Sequence, residues 1–212
     1  KVTDMSYLFG SKYGLNRFNA DISNWDVSSV ITMKAMFLNC NSFNQPIGKW
    51  NVSKVQTMQH MFDNCNSFNS DIGKWNVSSV IEMQSMFENA ASFNQSLNRW
   101  DVKSVRTMCC MFLRATLFNS PVNNWNVNQV KSMRRMFEGA INFNQALDKW
   151  NVSNVEDMNG MFGHLKNFNQ SLDSWDVSNL QTADSMFYFA EKYNQPMNSW
   201  NTCKLQYMSG MF

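Results

Sequence analysis

The residues whose types could do chemistry in this chain are methionine, histidine, cysteine and tryptophan, and their spacing decides what each can do. Methionine is unusually abundant, with 17 copies. Seven of them share one column, Met33, Met58, Met83, Met108, Met133, Met158 and Met208. Thioethers ligate soft copper, but this column has Phe beside it and no His nearby, which reads as core. The two histidines, His60 and His164, stand about four repeat units apart, roughly 20 Å at the spacing of parallel strands, and cannot share a metal or a proton. Cys40 and Cys65 occupy equivalent positions that stacking would bring within disulfide reach. The same column holds Ala90, Ala115, Ala140 and Ala190, so two free thiols in a small-residue core position are expected, with a bridge left open. Cys109-Cys110 is a vicinal pair and Cys203 is isolated. An odd count without Cys-x-x-Cys points to no compartment and no metal site. No Gly-rich phosphate loop, nucleophile elbow or carboxylate pair with an evident role is present. The expectation is a non-enzymatic chain with no catalytic residue, no metal and no cofactor.

Tryptophan sets the ruler. Trp25, Trp50, Trp75, Trp100, Trp125, Trp150, Trp175 and Trp200 recur every 25 residues. Exposed, such a column could stack on sugars. Buried, it supplies a large block of core, and Val two residues later in seven of the eight units, from Val27 to Val177, favours burial. The flanking positions then face outward. One column carries the cations Lys49, Lys74, Arg99 and Lys149, and the column after Trp carries Asn51, Asn76, Asp101 and Asp176 among its members. Stacked like charges repel, so this polar strand face either leans into water or meets an acidic protein partner. A second basic group, Lys103, Arg106, Arg114, Lys131, Arg134 and Arg135, has Asp63, Glu88 and Glu138 nearby and reads as a mixed solvated surface. The column Asn44, Asn69, Asn94, Asn119, Asn144, Asn169 and Asn194 reads as a buried structural ladder, its amides bonding turn backbone and each other. Five Asn-x-Ser sequons arise from the repeat; those at Asn51, Asn76 and Asn151 could carry sugar, whereas Asn94 and Asn169 fall in the ladder.

These columns must be positioned by a repeated element. Val30, Met33, Met36/Phe37 and Cys40 recur at one-face helical spacing, predicting a helix of about three turns capped by Asp26 or Ser28. Lys49-Trp50-Asn51-Val52 alternates polar and apolar, predicting a short strand. Pro46, Pro121 and Pro196 share a column that needs no ladder N–H. One 25-residue unit cannot bury its apolar face alone, but a stack can. The fold class expected is an α/β solenoid: a right-handed, gently curved stack, short parallel strands on one side and short helices on the other. It forms a single domain over 1–212 of about eight units, with a three-residue insertion within 10–17. Strands pack about 4.8 Å apart and helices about 8–10 Å, a mismatch that would bend the stack.

Net charge is +2 with 16% charged residues, too weak a balance for nucleic acid. No apolar run approaches the ~18 residues of a transmembrane segment. The chain opens on Lys1 and both ends lie on the apolar helix motif, as an excerpt of a longer array would, which allows end-to-end contacts at the termini.

The unit Phe-Asn-Gln-x-(Ile/Leu)-x-x-Trp-(Asp/Asn)-Val-Ser-x-Val-x-x-Met-x-x-Met-Phe resembles the bacterial surface-protein repeat of about 25–26 residues, related to the BspA-like leucine-rich repeats. Met61-Phe62-x-x-Cys65-x-x-Phe68 is similar to the Ala-Phe-x-x-Cys-x-x-Leu signature of that class. The resemblance spans nearly the whole chain. It implies a leucine-rich-repeat-like solenoid, often on surface proteins and lipoproteins with adhesive roles, and it carries over no catalytic residue. A protein-binding or adhesion module at the cell surface is therefore the first functional expectation. A structural scaffold subunit of a large assembly, extracellular or intracellular, is the second.

Overall fold

The computed structural model describes residues 1–11 and 16–212. Among them there is no helix and no extended strand, only turns and isolated single-residue parallel bridges. The chain is not an α/β solenoid of helices and strands, and the expected elements are replaced by something more uniform. Parallel bridges join Thr32 to Thr57, Thr57 to Glu82, Glu82 to Thr107, and so on to Tyr207. Each 25-residue unit is thus one coil, laid directly on the next.

The predicted helix is a run of tight turns. Met36, Leu38 and Cys40 donate their N–H groups three residues back, to the carbonyls of Met33, Ala35 and Phe37. The alternate donors leave the coil: Met33 bonds Thr57 at 3.1 Å, Ala35 bonds Gln59 at 2.7 Å, Phe37 bonds Met61 at 3.0 Å and Asn39 bonds Asp63 at 2.8 Å. A helix would direct all of these donors four residues back within itself. What interrupts it is a left-handed residue at two fixed positions of each coil. Ala35, His60, Ser85, Cys110, Arg135, Gly160 and Ser185 form one such column, and Asn39, Asn64, Asn89, Arg114, Gly139, His164 and Phe189 the other. Successive three-residue turns bring side chains inward at spacings of three and four, as a helix does, so the apolar pattern is common to both. The spacing mismatch between helices and strands disappears because no helix is present among the described residues and the run of turns bonds directly to the next coil, backbone to backbone.

The predicted strand at Lys49–Val52 is likewise absent. There the side chains alternate because Trp50 and Val52 turn into the core while Asn51 stays exposed. Asp26 and Asn51 accept from the N–H two residues on, at Ser28 and Ser53 (3.0 and 3.2 Å), so they close Asx turns rather than cap helices.

The core is a set of stacked columns. Within a coil Phe37 lies on Phe43 with ring centroids 4.0 Å apart, and along the stack Phe37 to Phe62 is 5.6 Å. Trp50 and Trp75 stack at 6.4 Å with planes 2° apart. Parallel-displaced aromatic contacts of this kind add about 0.5–1.5 kcal/mol per pair beyond the area they bury. The Trp residues from Trp50 to Trp175 are buried, and each indole N–H donates to a carbonyl of the preceding coil, Trp100 to Ile72 at 3.1 Å and Trp125 to Leu97 at 3.0 Å. Cys40 and Cys65 are buried free thiols, their Sγ atoms donating to the carbonyls of Phe9 and Phe37. Of the segment 10–17 expected to hold the insertion, residues 12–15 lie outside the described residues.

Candidate partner-binding face

Two sides of the coil carry polar side chains. On the first, the turn around each Trp sets the geometry. Trp and the following Val are anchored inside, so the residue before Trp must point out. Lys49, Lys74, Arg99 and Lys149 are all exposed, and among the described residues none makes an ion pair. Lys49, Lys74 and Arg99 sit on three successive coils; Asn124 interrupts the row before Lys149. A depression of about 350 Å³ opens between Lys74, Asn76, Arg99 and Asp101, and a second of about 350 Å³ between Asn124, Asn126, Lys149 and Asn151.

The column after Trp is exposed but engaged. Asn51 and Asn76 close Asx turns onto Ser53 and Ser78, both at 3.2 Å. Asp101 accepts from the Lys103 backbone and pairs with its ammonium at 2.9 Å. Asp176 accepts from Ser178 at 3.0 Å. Hydrogen bonding from the Lys103 side chain holds the Asp101 carboxyl below its ordinary value, and the Ser178 hydroxyl and amide do the same for Asp176. These acids are therefore tied to their own turns, and the cation row keeps its positive field.

The asparagine column lies beside this face. Each Asn side-chain oxygen accepts the backbone N–H of the equivalent Asn one coil on: Asn44 to Asn69 at 2.8 Å, Asn94 to Asn119 at 2.9 Å, Asn119 to Asn144 and Asn169 to Asn194 at 3.0 Å. Gln95, Gln145, Gln170 and Gln195 add amide N–H bonds to the same oxygens. The column is exposed or half-buried rather than buried as expected, because its bonds run along the outside of the turn. The oxygens of Asn94 and Asn169 are thus engaged even though their residues reach solvent.

The family described as "Mycoplasma protein of unknown function, DUF285" matches in overlapping segments at residues 1–89, 47–141, 70–162 and 120–212. The chain belongs to the DUF285 family. It is a repeat protein, and the overlapping matches run along the coils just described. No curated protein matches the chain.

On the second side of these DUF285 repeats, the left-handed turns, some of the charges are paired. Arg135 makes two bonds to Glu138, which hold its guanidinium protonated. Lys131 pairs with Glu156 at 2.9 Å. Gly160 and Gly163 leave a depression of about 350 Å³ beside Arg134, Arg135, His164 and Tyr188. One cluster was missed by reading the sequence: His60, Asp63 and Glu88 converge, with ligand atoms within 4.8 Å of one another. Its signal is a residue three places on and a second one coil further, a pairing that only the turn geometry makes visible. Among the described residues no helix is long and apolar enough to cross a membrane.

Proposed function

We propose that this chain is a non-enzymatic protein-binding module of a surface protein, and that it meets an acidic partner through the row Lys49, Lys74, Arg99 and Lys149, with Asn51, Asn76, Asp101 and Asp176 forming the margin. The observation that carries this reading is the alignment of the row: Lys49, Lys74 and Arg99 stand exposed on three successive coils. Like Arg106, Arg114 and Arg134, they form no ion pair with a carboxylate among the described residues. Stacked cations raise one another's energy, and an acidic surface relieves that while steering association. The resemblance to BspA-like surface repeats supports the surface location and the adhesive role. The test replaces Lys49, Lys74, Arg99 and Lys149 with Ser and compares partner recovery with that of the wild type at low and raised salt. Salt-sensitive recovery by the wild type and its loss in the variant are expected; equal recovery by both removes this face.

A further inference from the structure

We propose that His60, Asp63 and Glu88 form a binding site for a divalent transition-metal cation of the zinc class, clamping two successive coils. His60 and Asp63 belong to one coil, where the left-handed turn at His60 (φ 54°) puts the two side chains on the same side. Glu88 occupies the position of Asp63 one coil on. The ligand atoms of the three residues lie within 4.8 Å of one another. A cation held at about 2.0–2.2 Å from each ligand needs only modest rotation of His60, which is half-exposed, and of Glu88.

An independent observation marks the centre of this cluster as incomplete. Asp63 is buried, at 8% exposure. Its Oδ2 meets His60 Nδ1 at 3.0 Å, but its Oδ1 is buried with no hydrogen-bond partner. A buried carboxylate oxygen without a partner carries a desolvation cost of about 1–3 kcal/mol. Nothing nearby relieves it: Arg135 is held by Glu138, and Ser85 bonds Glu88. Two carboxylates and one imidazole leave a net negative site that a divalent cation neutralises. The single imidazole nitrogen favours zinc or a similar borderline ion over calcium or magnesium, which require six or more oxygens. Three protein ligands leave a fourth position for water.

The experiment titrates the intact chain with Zn²⁺ by calorimetry and with Co²⁺ by absorption, alongside Asp63→Asn, Glu88→Gln and a Cys109→Ser/Cys110→Ser variant. One bound zinc per wild-type chain is expected, with binding weakened at least about tenfold in the Asp63 and Glu88 variants and unchanged in the cysteine variant. Zinc should raise the wild-type melting temperature by mass action and leave that of Asp63→Asn unmoved. Without metal Asp63→Asn should melt no lower than the wild type, because it removes the unpaired buried charge, so loss of binding is not loss of folding. Three results would overturn the site: no zinc binding by the wild type, equal affinity for calcium, or a sulfur-to-cobalt charge-transfer band that disappears with the cysteines.

Discussion

The two sides of each coil are both built from turns, yet they are held by different chemistry. Around Trp, side chains make the bonds between coils: the indole N–H reaches a carbonyl of the preceding coil, and the Asn oxygen accepts the next coil's N–H. Around the left-handed columns, the backbone does it, through the alternate donors typified by Met33, Ala35, Phe37 and Asn39. The difference explains which columns repeat. Where a side chain supplies the hydrogen bond, its identity is fixed, and Trp and Asn recur in every unit. Where the backbone supplies it, only the residues that fill the core, such as Met33 and Phe37, are fixed, and the left-handed column runs Ala35, His60, Ser85, Cys110, Arg135, Gly160.

The largest expected effect breaks the side-chain-held side. Trp100→Ala removes stacking on Trp125 (6.5 Å between centroids) and the bond to Ile72. A loss of about 3–5 kcal/mol in urea denaturation is expected, the range for a buried aromatic truncated to Ala. Asn119→Ala is milder. It strips the acceptor shared by the Asn144 N–H and the Gln145 amide, and because both donors are half-exposed and reach water, about 1 kcal/mol is expected. A cost equal to that of Trp100→Ala would mean that the ladder, not the aromatic core, holds this side.

The opposite sign is expected across the coil. Arg114 is exposed and sits at φ 56°, a conformation that costs a side-chain-bearing residue about 1–2 kcal/mol. Arg114→Gly relieves that strain at the cost of a more flexible unfolded chain, leaving a net gain of about 0.5 kcal/mol. Destabilisation by this variant would show that the Arg114 side chain, and not only its backbone bond to Glu138, holds the coils together.

The same contrast accounts for what was legible. The 25-residue period, the Trp and Phe columns and the Asn column stand in the sequence because side chains must be copied to be stacked. The left-handed turns do not, because Ala35, Ser85 and Arg135 are not residues that announce positive φ; only Asn39, Asn64, Asn89 and the glycines do. Without that marker, Val30, Met33, Met36 and Cys40 match a helix as well as they match a chain of turns. The apparent strand at Lys49–Val52 failed for a related reason: Trp50 and Val52 alternate with an Asx-turn residue, not with a ladder partner. In the sequence His60 stands about four units from the other histidine, His164, and out of its reach, whereas its spatial neighbours Asp63 and Glu88 follow from the turn and the coil step together.

The smallest expected effect lies where the backbone-held side meets the core. Cys40 and Cys65 occupy a column that holds Ala in most other coils, and burial pushes the Cys40 thiol up to about 12 and that of Cys65 well above its ordinary value. A raised folded value means the unfolded chain gives up these protons first, from about pH 9. The contribution to stability is therefore fully present below about pH 9 and is lost as pH rises through about 12. Lysines and tyrosines titrate in the same range, so the informative quantity is a difference: the wild type should lose more stability between pH 9 and 11 than Cys40→Ala/Cys65→Ala, measured by urea midpoints. A neutral-pH thiol reagent gives the same contrast by rate, since exposed Cys203 should react at once and the buried pair only as fast as the coils open. Equal labelling of Cys40, Cys65 and Cys203 in the native chain would mean that the backbone-held turns around Phe37 and Phe62 open far more readily than their unbroken run of coil-to-coil bonds implies.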